Sequence, residues 1–434
     1  MYFINLVRKL LNVNSLVKAL YSNRSLFLVL SFPIKLIDIL FVRPKNEILF
    51  YGYNGRYNGN SSSLYRYCLS KKNQLSPIWL LDKQDLNQFG NSKNCFLLPS
   101  KNSNILEHIK LLLKIAHARV VVVTSVGDLR LYCSLLYSKK RIEVLLPHGI
   151  TIKSAGIMAR HFNKNERKIW STHPSRFDLV SVSSRVEQHW ISSGFNLNPE
   201  KVKILGIQRG EYSSDNLKDE KNTRQLENFF TELGIDTSNI NLSKATKVLY
   251  APTHRDHLSS QYSTMLENID GYNLQELNRF LKENNILLFL REHAISDKNT
   301  LDKDSALESN VIHFSPVKFP DIEQYFHHID VIITDYSGIY LEHLMSKKSL
   351  AFALFDIDDF EINRGLNLPK EILFPGHIFK SQKEFVYYLK NRVSIDQSYI
   401  NQRKYLHSLL FERSSEGACR RTMVEIEKMI NHFS

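Results

Sequence analysis

Short apolar runs alternate with stretches of helical spacing along most of this chain, and that alternation limits the fold more than any other feature. "EILFYGY" (47–53), "PIWLLDK" (77–83), "RVVVVTSVG" (119–127), "RIEVLLPHG" (141–149), "FDLVSVSS" (177–184) and "KVKILGI" (201–207) read as strands. Between them lie segments such as "NILEHIKLLLKIAHA" (104–118), whose apolar residues recur at helical spacing. The series resumes with "KVLYAP" (247–252), "ILLFLREH" (286–293), "NVIHFS" (310–315), "DVIITDYSG" (330–338) and "SLAFALF" (349–355). Such strands separated by helices predict an α/β fold with parallel sheets covered on both faces. A polar, charge-rich stretch splits the series into two blocks. The expected organisation is a basic, amphipathic helical segment over 1–46, a Rossmann-like domain over 47–210 and a linker over 211–246. A second Rossmann-like domain follows over 247–390, with C-terminal helices over 391–434 packing back across the domains. At 434 residues the chain can bury two such cores.

The formal net charge of +13 points to an anionic partner: nucleic acid, a membrane surface or a phosphorylated substrate. No nucleic-acid-binding module is recognisable, so nucleic acid is set aside. Cys68, Cys95, Cys133 and Cys419 lie far apart with no CxxC pair, which argues against a zinc ribbon or a disulfide scaffold and fits a reducing compartment. The first 45 residues interleave Arg8, Lys9, Lys18, Arg24, Lys35 and Arg43 with Leu, Ile, Phe and Val, opposed only by Asp38. The uncharged stretch around "SLFLVLSFPI" is shorter than the roughly 20 residues that cross a bilayer. No small-residue cleavage site follows, as a signal peptide would require. The pattern suits helices lying in the plane of an anionic membrane; packing against the protein's own core is the alternative.

In parallel sheets, ligands bind beyond the carboxyl ends of strands, and the polar residues of this chain gather there. "LLPHGITIK" places His148 and Gly149 just past a strand, and "YAPTHRD" does the same for Thr253, His254, Arg255 and Asp256. "LFLREH" contributes Arg291 and His293, and "ITDYSG" leads from a strand into helical spacing at Ile339. Four such tips suggest one phosphate-handling cleft, with an anion at the helix start near Ser337 and Gly338. Three shorter motifs weigh little. "DID" (356–358) is a tripeptide in a polar loop, and "THRDH" pairs His254 with His257 without a third ligand. "GYNGRYNG" is not GxGxxG.

These motifs, in order, resemble those of the CDP-glycerol glycerophosphotransferases, the teichoic-acid primases and polymerases, and related capsule polymerases. "GRYNGNSSSLYRY" (55–67) resembles the family's Asn-bearing loop before a helix, and "PHGITIK" (147–153) its His-Gly-Thr-x-x-Lys. "ILGIQRGEY" (204–212) resembles Gly-x-Pro-Arg-Asn-Asp, "YAPTHRD" (250–256) Tyr-Ala-Pro-Thr-x-Arg-Asp, and "LREH" (290–293) Lys/Arg-x-His-Pro. "ITDYSGIYLEHLMSKKSLAF" (333–352) and "FEINRGL" (360–366) resemble Ile-Thr-Asp-Tyr-Ser-Ser and Tyr-x-x-x-Arg-Gly. Ile150, Ala294, Gly338, Glu342 and Gln208 depart from the usual Thr, Pro, Ser, Asp and Pro. The resemblance covers about 47–390. It implies a GT-B-like fold with two Rossmann-like domains facing a cleft. It also implies transfer of a polyol phosphate from a CDP-polyol to a hydroxyl of a lipid-linked or oligosaccharide acceptor, with release of CMP. The protein would be peripheral (monotopic) on the cytoplasmic face of the bacterial cell membrane.

On that reading a hydroxyl attacks phosphorus and must lose its proton, a task for which histidine is tuned. His148 is the expected base. His293, Arg291, Arg255 and the turn at Ser337 are expected to stabilise the departing CMP. Gly149, Thr253, Asp256, Thr334 and Gly338 complete the expected contacts. Asp335 either orients neighbours or caps the turn, and Glu342 either holds a donor hydroxyl or lies on a solvated face. Lys153 and Arg364 are either phosphate contacts or surface cations. No cofactor is called for, and Mg2+ is left open, as is an oligomer. The rival functions are a GT-B glycosyltransferase using a nucleotide sugar and a non-catalytic, membrane-bound glycan-binding protein.

Overall fold

The structure is a computed structural model that describes residues 24–71, 74–86, 94–100, 103–164, 167, 177–213, 230–231, 244–253, 269–291, 310–316, 318–319, 322–346 and 348–433. Two parallel sheets carry the molecule. The first comprises β1 (Lys45–Phe50), β2 (Ser76–Leu81), β3 (Cys95–Leu97), β4 (Ala118–Val123), β5 (Ile142–Leu145), β6 (Leu179–Val182) and β7 (Val202–Ile204), in the order β3-β2-β1-β4-β5-β6-β7. The second comprises β8 (Thr246–Ala251), β9 (Ile286–Leu290), β10 (Val311–His313), β11 (Val331–Thr334), β12 (Ser349–Phe352) and β13 (His377–Ile378), in the order β10-β9-β8-β11-β12-β13. Each order reverses beside its first strand, between β1 and β4 and between β8 and β11. Such a reversal opens a crevice at the carboxyl ends of the strands.

The continuous apolar runs follow from burial on both faces. Leu49 joins one cluster with Val121 and Leu145, while its neighbours Ile48 and Phe50 join the opposite one with Val120 and Trp79. In the second sheet Leu249 and Ile332 face one cluster and Val248, Tyr250, Val331 and Ile333 the other. Alternation of side chains along each strand therefore feeds two cores at once.

Three segments pass between the domains. Ile150, Ile152 and Ile207 leave the first sheet's loops and are buried in the second domain's cluster with Leu249 and Tyr340. At the other end of the chain, Leu406 and Leu410 of helix Ile400–Leu410 join that same cluster, while Cys419, Met423 and Ile426 of helix Ala418–Phe433 join the core of the first domain.

Helix Arg24–Phe41 is held to the first domain by a buried ion pair. Arg141 donates from Nη1 and Nη2 to the two carboxylate oxygens of Asp38 at 2.9 and 2.8 Å. Lys140 Nζ binds the carbonyls of Asp38, Ile39 and Val42 near the helix end, which cations satisfy well. Residues 1–23, and with them most of the basic N-terminal pattern, lie outside the described residues. So does most of the expected linker. Among the described residues no helix is long and apolar enough to cross a membrane.

Candidate active site

His148 follows β5 by three residues, and its main chain is clamped from two sides. Asn60, in the first turn of helix Gly59–Ser70, donates from Nδ2 to the Pro147 carbonyl and accepts from Arg209 N at 3.0 Å. Arg209 follows β7 and donates from Nη1 to the His148 carbonyl at 2.9 Å. The imidazole faces Tyr53, with ring centroids 4.7 Å apart. Tyr53 sits on a turn after β1 that is itself braced, because Asp85 accepts from Arg56 Nε and Tyr57 N, each at 2.8 Å. Gly149 lies beside the same arginine: a Cβ there would come 3.4 Å from Arg209 Nη2.

Past His148 the chain crosses to the second domain. Lys153 pairs with Leu366 in an isolated antiparallel bridge, Ser154 N donates to Gly365 O at 3.0 Å, and Asn367 N donates to Ile152 O at 2.8 Å. Asn367 Nδ2 adds bonds to the carbonyls of Thr151 and Lys153. Arg364 is on the adjacent segment with Nη1 3.0 Å from His161 Nε2. Ile150, which stands where the family has Thr, is 5% exposed within the second domain's core, so its apolar side chain is explained by packing.

The tips of β8 and β11 meet at the second crevice. Asp335 is completely buried and accepts from Thr253 N at 2.8 Å, bridging the two strands at the point where the order reverses. Thr334, expected as a substrate contact, is also completely buried, and its hydroxyl donates to Ala251 O at 2.6 Å. It therefore serves the framework. Tyr336 is buried too and donates to Asp356 Oδ1 at 2.9 Å, which gives the first residue of the "DID" motif a structural partner. Ser337 and Gly338 remain partly accessible. The expected α-helix after them is a six-residue 3-10 helix, Gly338–His343, and Ser337 Oγ accepts from Ile339 N at 3.4 Å. A short 3-10 element carries little of the dipole on which the helix-start argument rested. The open space expected above Gly338 is also used differently: a Cβ there would lie 2.7 Å from the Ile150 carbonyl oxygen. The absent side chain lets the two domains approach. Arg291 follows β9, is 9% exposed and lies over the Phe314 ring at 5.1 Å.

Glu342, on the 3-10 helix, is gripped by Arg209 rather than solvated. Arg209 Nε lies 2.9 Å from both carboxylate oxygens, and Nη2 bonds Oε1 as well. The arginine thus touches the loop of His148 and the turn of Ser337 together. Arg209, Asn60 and Tyr53 all lie in the quoted motifs, but no local pattern singles them out.

Nor does any motif single out Glu187, in the first turn of helix Arg185–Phe195. Ser184 Oγ accepts from Glu187 N at 3.2 Å, so the local sequence reads as an ordinary capping box. The Glu187 side chain instead reaches Ser183, 2.7 Å from its N and 2.8 Å from its Oγ. It lines a small cavity with Asn60, Pro147 and Gly149. Burial pushes its carboxyl up to about 7, against the pull of the Ser183 bonds and with a push from Glu342. Ser183 Oγ also lies within hydrogen-bond reach of the Leu410 carbonyl, so the serine ties the Glu187 carboxyl to the C-terminal helix Ile400–Leu410.

His293, Arg255 and Asp256 lie outside the described residues, as do His254 and His257. Among the described residues no group of three His, Cys, Asp or Glu side chains could hold a metal ion.

Two doubly wound sheets with facing loops at their carboxyl ends define a GT-B-like transferase fold. The profile described as CDP-Glycerol:Poly(glycerophosphate) glycerophosphotransferase matches residues 35–428, and the chain belongs to that family. It is 22% identical over 370 residues to the teichoic acid glycerol-phosphate transferase of Staphylococcus aureus, covering 83% of this chain and 87% of that protein. It is 25% identical over 201 residues to the teichoic acid ribitol-phosphate polymerase TarL of the same species, covering 46% of this chain and 33% of the relative. The chain spans a third to a half of the length of several curated relatives that it matches, TarL among them. The solved wall teichoic acid polymerase TagF superposes with a TM-score of 0.72 at 18% identity, over 99% of this chain and 98% of that one. At that identity the likeness is one of fold.

Proposed function

We propose that this protein transfers a polyol phosphate, glycerol phosphate or ribitol phosphate, from a CDP-polyol to a hydroxyl of a membrane-linked glycan or polymer, releasing CMP. The observation that carries the reading is the meeting of the His148 loop with the Ser337–Gly338 turn, through Arg209 and Ile150, between the carboxyl ends of two doubly wound sheets. Family membership and the names of the relatives support the chemistry, and a variant of TagF has been solved after a soak with CDPG. In this mechanism His148 takes the proton of the acceptor hydroxyl as its oxygen bonds to the donor phosphorus that bears the polyol. The bond from that phosphorus to CMP breaks, and His293, Arg255 and Arg291 balance the charge on the departing CMP. Ser337, Gly338, Thr253 and Gly149 are the substrate contacts of this reading, with Asp256, Lys153 and Arg364 as further contacts. A screen of CMP release from CDP-glycerol and CDP-ribitol, beside nucleotide sugars, tests the reading. Turnover of a nucleotide sugar alone would replace it with glycosyl transfer.

The same reading places the protein peripherally on the cytoplasmic face of the membrane, in teichoic-acid or capsule synthesis. Helix Arg24–Phe41 exposes Phe32, Leu36, Ile37, Leu40 and Phe41, and helix Ile105–Ala116 exposes Ile105, Leu106, Ile109 and Leu113. Both pack beside helix Arg130–Leu135, which puts two apolar faces on one domain. Removing the chain up to Val42 would leave Arg141 buried without Asp38, so point changes are the better test. Leu36→Glu with Leu40→Glu is expected to weaken sedimentation with anionic liposomes by about tenfold or more. Unchanged sedimentation would argue against this face.

A further inference from the structure

We infer that Arg209 is a positioning residue that makes the placing of His148 depend on closure of the two domains, with Glu342 as its counterpart on the second domain. The inference rests on the reading of His148 as the base. One guanidinium is divided between two jobs. Its Nη1 holds the His148 carbonyl at 2.9 Å, while Nε and Nη2 form a forked pair with the Glu342 carboxylate. The residues lie 133 positions apart in sequence, on loops after β7 and β11, so the pair spans the cleft. Their side chains are 15% and 12% exposed, which places the contact where water screens it weakly.

The arginine has little freedom to do anything else. Its N–H is fixed by Asn60, which also holds the Pro147 carbonyl, so one amide side chain sets both the root of the His148 loop and the root of Arg209. On the far side, Glu342 belongs to the same 3-10 helix as Gly338, which is pressed against the carbonyl of Ile150, two residues beyond His148. The turn that the donor is proposed to meet and the loop that carries the base are therefore joined by two short links, one charged and one steric. When the domains separate, Glu342 leaves the fork and the arginine loses its support from the second domain. The His148 carbonyl then loses its fixed donor, and the imidazole loses the backbone that aims it at the acceptor oxygen. Lysine cannot replace this device, since an ammonium lacks the planar fork that serves two acceptors in fixed directions.

The experiment uses the full chain with Arg209→Lys, Glu342→Gln and the double variant, each first checked for wild-type melting. Carbethoxylation of His148 by diethyl pyrocarbonate, followed by peptide mass spectrometry across pH 5.5–8, reads the imidazole without reference to turnover. Each single variant is expected to change that rate by about fivefold or more, and the double variant to match the singles because they remove one shared contact. CMP release from CDP-glycerol is expected to fall by about 10- to 100-fold in kcat with KM within about threefold, as for a displaced rather than a missing base. His148 reactivity unchanged in both single variants, or single effects that multiply, would overturn the coupling. Loss of coupling is distinct from failure of the proposed chemistry. In the latter case His148 reactivity shifts as expected but the parent protein releases no CMP from any CDP-polyol, or His148→Ala retains full turnover.

Discussion

The tip of β5 and the tip of β11 carry motifs of equal polarity, yet the structure treats them in opposite ways. At β5 the main chain is what is held: Asn60 and Arg209 side chains bind the carbonyls of Pro147 and His148, and the imidazole stays at the cleft against Tyr53. At β11 the side chains do the holding: Thr334 bonds Ala251 O, Asp335 accepts from Thr253 N and Tyr336 bonds Asp356, all three completely buried. A polar residue at a strand tip is available for chemistry only when something else satisfies the backbone around it. That is why one histidine at β5 is a stronger candidate than three consecutive polar residues at β11.

The comparison can be broken by substitution. His148→Ala is expected to lower CMP release by about 100-fold or more with melting unchanged, as for a group that acts in the transition state. A stability loss without an activity loss would reverse the assignment. Gly338→Asp should damage both properties. Its Cβ would meet the Ile150 carbonyl at 2.7 Å, so CDP-glycerol binding by calorimetry and the melting temperature are expected to fall together. Binding lost at an unchanged melting temperature would instead mean that the space above Gly338 belongs to the ligand. Asp335→Ala should cost about 1–3 kcal/mol in denaturant unfolding by removing the acceptor that ties Thr253 N–H of the β8 tip to the β11 tip. Turnover lost at unaltered stability would make Asp335 a ligand rather than a brace.

An effect of similar size, visible only as a pH dependence, concerns Glu187. Its carboxyl is raised to about 7 in the folded chain against 4.5 unfolded, so the folded state holds the extra proton between those values. Stability is then greatest below pH about 4.5 and falls as pH rises to about 7, beyond which it levels. Glu187→Gln mimics the protonated form and should remove that slope. The variant should match the parent near pH 4.5 and exceed it by about 1–3 kcal/mol at pH 8, since each pKa unit is worth about 1.4 kcal/mol. Parallel pH profiles for the two proteins would contradict the buried, protonated carboxyl.

Much of the fold was legible because parallel sheets buried on both faces leave unbroken apolar runs, as in "RVVVV" and "VIIT". The succession of strands and helices along the chain could be anticipated from alternation, whereas the order of strands within each sheet, with its reversal point, is set by crossovers that no local pattern encodes. Of the site, His148 was legible because a polar loop follows its strand directly. Arg209 was not, because its importance lies in a partner 133 residues away. Glu187 was hidden differently: "SRVE" satisfies a capping box, and only the packed structure turns the carboxylate toward Ser183 and the cavity. Thr334 and Asp335 read as an accessible polar strand tip but are completely buried, since burial is invisible in a polar run.

The central claim, one cleft that moves a phosphate with its polyol, is tested most directly with CDP-glycerol labelled at the phosphorus that bears glycerol. Incubation with an acceptor polymer should move the label into product one-for-one with CMP release, and His148→Ala should suppress both. CMP release with the label left in free glycerol phosphate, or a product made only from nucleotide sugars and carrying no label, would contradict it.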